Sequence, residues 1–331
     1  MKSLNKQDCL ILMAVYNGEK YLREQLDSIL AQTDNTWELI AQDDGSKDSS
    51  LSILEEYAGK DGRIHVRTNE SGNHGPYQNY NVLINYARSL PARAFYLFAD
   101  QDDRWDKDKL KTMKDFFCRH HSDSSVPALL YGDMRVIDEN GKVFIPSMNA
   151  EDKIRRSPVS MFFDPSVWGC NFLFNRALLD DILPVPDNAG RVWGHDQYFA
   201  RWAGIRGSLL FLDEPVMDYR RYRGSVTSEH DLTVSTSRIL RRMRKIDRLA
   251  ADHAVVYKSA QFVLDNLSRK ELTPLQKETV TAIGKCIDRG ELYALYFFVA
   301  HKVNLGRKIR TASHLLILIS GKYKKHLKAL V

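Results

Sequence analysis

The sequence predicts an α/β protein with a mainly parallel sheet, followed by a helical C-terminal extension. Three observations lead to this prediction. From residue 9 to about 117, short apolar runs alternate with segments of helical period, which is the pattern of strands joined by helical crossovers. Residues 128–227 are richer in short apolar runs, and strand signals stop after about residue 235.

The first part of the chain contains four predicted strand and helix pairs. Strands are predicted at 9–15, 37–42, 64–68 and 94–99, and the first of them is a buried apolar run. Helices are predicted at 19–31, after 44–46 and at 76–88, because their apolar residues share one helical face. The middle part has predicted strands at 128–131, 170–174, 209–212 and 216–219, and a helix at 195–206. The C-terminal helices are expected to break at Thr273-Pro274 and near Gly290.

Composition sets wide limits on the class of protein. The 331 residues are 44% hydrophobic and 27% charged, which is ordinary for a globular protein. The four cysteines are scattered singly, so neither a zinc-thiolate site nor a disulfide framework is indicated. The N-terminal apolar run is expected to be a strand rather than a signal peptide. The apolar stretches at 292–300 and 315–319 are shorter than the roughly 20 residues of a spanning helix, so no transmembrane helix is expected.

An acidic run, DQDD at 100–103, directly follows the fourth predicted strand. In open α/β sheets the ligand crevice lies outside the carboxyl ends of the strands. Three carboxylates within four residues repel one another unless a cation neutralises them. Their oxygens suit Mg²⁺ or Mn²⁺. The alternative, left open here, is a turn that caps the following helix.

Two other predicted strands end in polar residues. The first strand runs into AVYNG at 14–18, and the second into DDGS at 43–46, where a carboxylate can reach a nucleotide and glycine permits a tight turn. Each motif alone also fits a turn that caps a helix. Together with the DQDD run, these two motifs place three sets of polar residues at one edge of one sheet.

The combined motifs resemble glycosyltransferase family 2, whose members have the GT-A fold. The matching runs are AVYNGEKYL at 14–22, QLDSILAQT at 25–33, WELI at 37–40, DDGSKD at 43–48 and DQDD at 100–103 with Trp105. The likeness covers about residues 9–230. Within the family, this sequence is similar in particular to the bacterial rhamnosyltransferase-like branch. It implies a Rossmann-like, nucleotide-sugar-binding GT-A domain that requires Mn²⁺ or Mg²⁺.

The resemblance also implies roles for individual residues. Asp102 is the first choice for metal contact, and Asp103 is the alternative. Asp196, in WGHDQ at 193–197, would be the catalytic base, although a simple helix cap is the alternative. Asp44 would contact the nucleoside, and Asp100 would belong to the DxD motif. The residues implied to contact the donor are Ala14, Tyr16, Asn17, Asp44, Asn79, Asp100, Gln101, Arg220 and Arg223.

The segment YRRYRGSVT at 219–227 departs from the family pattern. Tyr222 stands where relatives commonly have a histidine. If that histidine supports the metal or the phosphates in relatives, its role here is either lost or passes to Arg220, Arg221 or Arg223, because arginine suits phosphate.

The predicted domains are a catalytic domain at 1–235 and a basic helical extension at 236–331. Within the first, residues 1–117 are expected to bind the nucleotide and residues 118–235 the acceptor. The extension is rich in Lys and Arg beside apolar helical segments, which is typical of attachment to an anionic membrane surface. Packing against the catalytic domain and oligomerisation are the alternatives. A cytoplasmic location, peripheral on the inner face of the cell membrane, is therefore expected.

The function implied by the resemblance is inverting transfer of a sugar from a nucleoside diphosphate donor. The sugar would be a hexose or deoxyhexose, with L-rhamnose from dTDP-rhamnose suggested by the rhamnosyltransferase likeness. The acceptor would be a glycan or a polyprenyl-diphosphate-linked glycan in bacterial surface polysaccharide synthesis. One alternative enzyme is a nucleotidyltransferase. A nucleic-acid-binding module is the non-enzymatic alternative, but no recognition motif accompanies the basic tail, so no nucleic acid partner is expected.

Overall fold

The computed structural model describes residues 8–184, 194–222 and 246–330. The chain divides into two compact units. The sheet unit comprises residues 1–148, 168–188 and 210–229, and the helical unit comprises residues 149–167, 189–209 and 230–331. The domain boundary predicted near residue 235 lies outside the described residues.

Four parallel strands form the N-terminal half of the sheet. They are β1 (Cys9–Val15), β2 (Trp37–Asp43), β3 (Ile64–Thr68) and β4 (Phe95–Ala99), in the spatial order β3-β2-β1-β4. All but β3 are almost entirely buried, as expected for a parallel sheet covered on both faces. The register aligns Val15 with Asp43, so the loops after β1 and β2 emerge side by side.

Amphipathic helices follow these strands. They are α1 (Leu22–Leu30), α2 (Ser50–Lys60), α3 (Pro76–Ser89) and α4 (Lys109–His120). In each helix, apolar residues at helical spacing are buried, such as Leu22, Leu26 and Ile29 in α1. The prediction of α1 from residue 19 was too early, because Gly18 and Tyr21 first form a turn whose backbone bonds close back on Gly18. Two short helices, α5 (Met148–Asp152) and α6 (Arg176–Asp181), come later in the chain.

The second half of the sheet is antiparallel. Its strands are β5 (Arg104–Trp105), β6 (Ala128–Ile137), β7 (Val143–Ile145), β8 (Phe172–Asn175) and β9 (Ser208–Arg220). Beyond β4 the order continues β8-β6-β9-β5, and β7 pairs with β6. The start of the strand predicted at 170 was wrong, since Gly169–Asn171 forms a 3-10 turn before β8.

The predicted division between 209–212 and 216–219 was also wrong, because β9 is continuous. The polar and proline residues at 213–215 suggested a break. However, β9 pairs with only two residues of β5 on its outer side, at Met217 and Asp218. A strand that is an edge over most of its length tolerates proline.

In the part of the helical unit that the structure describes, α7 (His195–Arg206) is joined by five C-terminal helices. These are α8 (Ile246–Leu267), α9 (Pro274–Arg289), α10 (Glu291–Ala300), α11 (Lys308–Ser320) and α12 (Tyr323–Ala329). The predicted break at 273–274 is confirmed, since Thr273 and Gln276 form a capping box. The break at Gly290 is confirmed as well, with φ of 60°. Within the described ranges, every helix is too short or too polar to cross a membrane.

Candidate active site

The acidic run after β4 is partly buried and closely packed. Asp103 is fully buried, and its Oδ1 accepts a hydrogen bond from the backbone N–H of Arg220 at 3.0 Å. Its Oδ2 is buried without a hydrogen-bond partner among the described residues. Asp100 accepts a hydrogen bond from the hydroxyl of Tyr80, with 3.0 Å between the oxygens. Position and packing thus concentrate negative charge at this strand end.

The pKa values of these carboxyls are raised. Burial raises the pKa of Asp102 to about 6, and the charge of Asp100 adds to that effect. Burial also raises the pKa of Asp103 well above its usual range, again helped by its acidic neighbours. A cation bound here would relieve both the desolvation and the mutual repulsion.

The donor atoms near Asp103 fit a hard divalent cation only in part. Oxygens of Asp100 and Asp103 and the Sγ of Cys170 lie within 4.8 Å of one another. Burial raises the pKa of the Cys170 thiol far above its usual range, so it is protonated and is a poor ligand for Mg²⁺ or Mn²⁺. The carboxylate oxygens, including the unpartnered Oδ2 of Asp103, have the chemistry that these ions require. The residues therefore fit such an ion through their carboxylates alone.

A buried lysine lies close to this cluster. The Nζ of Lys109 donates to the carbonyl oxygen of Cys170 at 2.9 Å and lies 4.2 Å from the Trp105 ring centroid. Burial lowers its pKa to about 8, against the attraction of nearby acidic groups that include Asp103. The ammonium thus balances part of the negative charge.

Tyr222 is hydrogen-bonded to the carboxyl of Asp102. Its ring packs against Tyr21, with 5.0 Å between the ring centroids. Burial, and then the charge of Asp102, raises the pKa of the Tyr222 phenol far above its usual range, so the hydroxyl stays protonated and donates. The residue that replaces the family's common histidine therefore contacts the predicted metal residue directly.

Arg220 is buried and fastens the acidic run to β9. Its Nε donates to the carbonyl oxygen of Asp102 at 2.9 Å, its guanidinium pairs with Glu24, and it lies over the Tyr21 ring at 4.5 Å. These contacts occupy the guanidinium. Its predicted contact with a donor diphosphate stays a prediction. Arg223, predicted to share that role, lies outside the described residues.

The end of β1 is tied to the acidic run by a side-chain bridge. Gln101 accepts from the backbone N–H of Tyr16 at 2.7 Å and donates to its carbonyl at 3.0 Å. Gly18 makes room for this bridge, since a Cβ there would lie 2.6 Å from the Gln101 amide. The Tyr16 side chain is 54% exposed. Its ring is therefore free to stack on a planar ligand group.

The loop after β1 is also joined to the loop after β2. Asn17 has a φ of 48°, and its Oδ1 accepts from the backbone N–H of Lys47 at 2.8 Å. Its own N–H donates to the Ser46 hydroxyl at 2.9 Å. Ala14, predicted to contact the donor, lies opposite Gln42 in the register of β1 and β2.

Asp44 holds the glycine-containing loop that precedes α3. One carboxylate oxygen accepts from the Asn69 amide at 2.7 Å and lies 3.0 Å from Nδ1 of His74. The other oxygen accepts from the backbone N–H of Gly75 at 2.7 Å. Asn79 is buried and exchanges hydrogen bonds with Gln42 of β2. The donor contacts of Asp44 and Asn79 stay predictions.

Asp196 is the second residue of α7 in the helical unit. The N-cap is Gly194, so the alternative that Asp196 itself caps the helix is wrong. Its Oδ1 accepts from the backbone N–H of Gln197 at 2.7 Å. Burial raises the pKa of Asp196 to about 6, against the lowering effect of Arg201. A carboxyl with that pKa can both hold and release a proton near neutral pH.

Several contributors to the site were not recognised in the sequence. They are Asp43, whose Oδ2 accepts from the backbone N–H groups of Gly45 and Ser46, together with Tyr80, Cys170 and Lys109. A signal existed for Asp43, because it adjoins Asp44 at a strand end. The others are ordinary residues of buried helix or turn positions, and only the fold brings them to the acidic run.

The fold and strand-end motifs have counterparts among solved structures. The chain is similar to the Staphylococcus aureus TarS 1–349 structure in complex with UDP-GlcNAc, with a TM-score of 0.58 and 21% identity over 97% of this chain and 91% of that one. It is also similar to the mannosyltransferase PcManGT from Pyrobaculum calidifontis in complex with GDP-Man and Mn²⁺, with a TM-score of 0.51 and 15% identity over 96% and 86% of the chains. The fold is therefore of the GT-A class.

The model of the family described as "Glycosyl transferase family 2" matches residues 10–183. Among curated relatives, the dTDP-rhamnosyl transferase RfbG of Shigella flexneri is 27% identical over 64% of this chain and 72% of the relative. The putative teichuronic acid biosynthesis glycosyltransferase TuaG of Bacillus subtilis is 34% identical over 66% and 81%. The chain thus belongs to glycosyl transferase family 2 and is a glycosyltransferase.

Proposed function

We propose that this enzyme transfers a sugar from a nucleoside diphosphate donor to a glycan or lipid-linked glycan hydroxyl, with inversion at the anomeric carbon. The observation that carries the proposal is the acidic run after β4, where Asp102 has a pKa of about 6 and a hydrogen bond from Tyr222. Side-chain hydrogen bonds join this run to the loop after β1, that loop to the loop after β2, and the latter to the loop after β3. Such an arrangement suits a ligand with a base, a ribose and phosphates.

In this proposal Asp102 holds Mn²⁺ or Mg²⁺, and Asp103 is the alternative ligand. When bound, such an ion would supply positive charge that stabilises the leaving diphosphate. Tyr222 and Arg220 fix the Asp102 carboxyl and its backbone, respectively. Asp103 uses its Oδ1 for the backbone of β9, so only its Oδ2 is available to the ion, and it is kept as the alternative ligand.

The exposed Tyr16 ring is proposed to stack on the nucleobase. Its backbone is fixed by Gln101, so the ring would be presented without a large loss of conformational entropy. Ala14, Asn17, Asp44, Asn79 and Asp100 are proposed to line the same donor site. Of these, Asp44 and Asn17 would act through the loops that they hold in place.

Asp196 is proposed as the catalytic base. Inverting transfer needs one carboxylate that removes the proton from the acceptor hydroxyl as its oxygen attacks the anomeric carbon. The bond to the donor diphosphate breaks as the new glycosidic bond forms, and the proton moves to the carboxylate. The neighbouring His195 is buried, and burial lowers its pKa to about 3, so it is neutral and does not compete for this proton.

L-Rhamnose from dTDP-rhamnose is the proposed donor, and the likeness to RfbG supports it at 27% identity. One relative is named as a UDP-Glc:alpha-D-GlcNAc-diphosphoundecaprenol β-1,3-glucosyltransferase from Escherichia coli, which supports a lipid-linked acceptor. We propose that the enzyme works on the cytoplasmic face of the cell membrane in surface polysaccharide synthesis.

A donor panel tests the proposal. The purified chain is incubated with dTDP-rhamnose, UDP-GlcNAc, UDP-glucose or GDP-mannose, with Mn²⁺ or Mg²⁺, and released nucleoside diphosphate is measured. Nucleoside diphosphate from one donor, with an inverted anomeric proton in the NMR spectrum of the product, is the expected result. Release of pyrophosphate from a nucleoside triphosphate and a sugar phosphate would instead identify a nucleotidyltransferase.

A further inference from the structure

Helix α10 exposes one entire apolar face. The exposed side chains, with their exposed fractions, are Leu292 (77%), Leu295 (44%), Tyr296 (65%) and Val299 (72%). Their spacing of three and four residues places them on one side of the helix. The opposite side, with Ala294, Phe297 and Phe298, is buried in the helical unit. Packing of α10 against its own unit thus leaves half of its apolar surface uncovered.

Helix α11 adds to this surface. It packs against α10, and Leu316 and Ile319 are 36% and 37% exposed. Lys308 and Ala312 are exposed too, and helical spacing places them on the same side as Leu316 and Ile319. The backbones meet closely, since a Cβ at Gly290 would lie 2.5 Å from the carbonyl oxygen of Leu318. We call the exposed residues 292, 295, 296, 299, 316 and 319 the apolar face.

Positive charge outweighs negative charge in the chain that follows α10, although Glu291 at the start of α10 is exposed and acidic. Between residues 301 and 330 the chain has eight Lys and Arg residues and no Asp or Glu. Some of these pair within the helical unit, such as Arg310 with Asp152 and Lys325 with Asp247. Within the described residues, no acidic side chain lies within ion-pair distance of four exposed lysines: Lys302, Lys308, Lys322 and Lys328.

We propose that the apolar face docks on the surface of a lipid bilayer with anionic headgroups. Leucine, valine and tyrosine side chains would enter the boundary between headgroups and acyl chains, while the unpaired lysines would meet lipid phosphates. A second copy of the chain would instead bring two sets of lysines together across a twofold axis, and like charges oppose that contact. Charge complementarity therefore favours the anionic membrane.

Liposome flotation of the full-length chain tests this proposal. Vesicles of phosphatidylcholine alone are compared with vesicles containing about 30% phosphatidylglycerol, at low and high salt. We expect binding to the anionic vesicles only, and weaker binding at high salt. The variant L292S/V299S should partition at least about tenfold less, because it removes two exposed apolar side chains. The variant K302Q/K308Q should lose binding to a similar extent.

The matched control variants are L275S and K277Q in α9. Leu275 is 72% exposed but lies 15 residues before Gly290, about 20 Å along the helix. Both control variants should bind like wild type. Circular dichroism checks that each variant is folded.

Three results would overturn the proposal. The first is equal flotation of L292S/V299S and wild type, and the second is no flotation of wild type with anionic vesicles. The third is a wild-type dimer, seen by light scattering, that L292S/V299S converts to a monomer without any effect on lipid binding. Flotation requires no sugar transfer, so failure of the proposed glycosyltransfer reaction would leave this test unaffected.

Discussion

The substitution Asp196→Asn tests the proposed base through two independent quantities, the pH dependence of kcat/KM and the free energy of unfolding. In the structure, burial raises the pKa of Asp196 to about 6, above its ordinary value of 3.8. At pH 5 a carboxyl with that pKa is only about one-tenth ionised, whereas an ordinary aspartate is more than about nine-tenths ionised. The rate constant kcat/KM of wild type should therefore fall about tenfold from pH 8 to pH 5.

Asp196→Asn should lower kcat at pH 8 by about 10²-fold or more and remove this acidic limb. The profiles are measured at saturating Mn²⁺, because the pKa of Asp102 is also about 6 and its protonation would otherwise produce a limb in the same pH range. Donor affinity, measured separately by calorimetry, should be unchanged, since the base acts on the acceptor. Gln197→Glu is not a suitable control because it adds charge beside the base. Asp180→Asn in α6 is suitable, because Asp180 is exposed and pairs with Arg176 four residues away on the same helix.

The same pKa also affects stability. A carboxyl whose pKa is higher in the folded state contributes to stability when the pH is below the pKa of that carboxyl in the unfolded chain. This contribution is lost as the pH rises through about 6. Ionised Asp196 should thus destabilise the fold at pH 8, and Asp196→Asn should gain about 2–3 kcal/mol more there than at pH 4. Denaturant titrations at both pH values measure this difference. A wild-type acidic limb near pH 4, with equal stability gains at both pH values, would refute the reasoning.

Three further predictions concern the acidic run, the β1 loop and the helix junction. Tyr222→Phe should weaken Mn²⁺ binding about tenfold, measured by electron paramagnetic resonance, because it removes the hydrogen bond to Asp102; unchanged affinity would contradict that contact. Gly18→Ala should raise KM for the donor severalfold with no change in circular dichroism, since its Cβ would displace the Gln101 bridge. A wild-type KM would show that the bridge is dispensable. Gly290→Ala should destabilise the chain by about 3 kcal/mol in thermal unfolding, because φ is 60° and the new Cβ would clash with Leu318. The control Gly59→Ala, which has open space around it, should be neutral or stabilising. Equal effects of the two substitutions would contradict the geometry.

The parallel half of the fold was readable from the sequence because its signals are local. A buried parallel strand is a continuous apolar run, and Cys9–Val15 has the predicted bounds. The more exposed β3 (Ile64–Thr68) has the predicted bounds as well. The antiparallel half was less accessible. β5 has only two residues, and its pairing with β9 depends on contacts more than 110 residues apart in the chain. No local pattern reveals such a strand.

The candidate site also has features that the sequence revealed and features that it did not. The acidic run and the Asp44 loop were predictable, because each directly follows an apolar strand. Their contacts were not, since Tyr222 reaches Asp102 from 120 residues away and Asp44 is occupied by the loop before α3. The sequence likewise could not show that α10 buries one apolar face and exposes the other, because both faces are apolar.

The central claim, a divalent cation on Asp102 during nucleotide-sugar turnover, is tested most directly by one titration. Nucleoside diphosphate release is measured against Mn²⁺ concentration after treatment with EDTA, for wild type, Asp102→Asn and Asp103→Asn. Asp108→Asn is the control, because Asp108 lies outside the acidic run and bonds the Thr33 hydroxyl. The account predicts saturable Mn²⁺ activation of wild type and the control, and no activation of Asp102→Asn. Full activity of wild type in EDTA, or wild-type activation of Asp102→Asn, would contradict it.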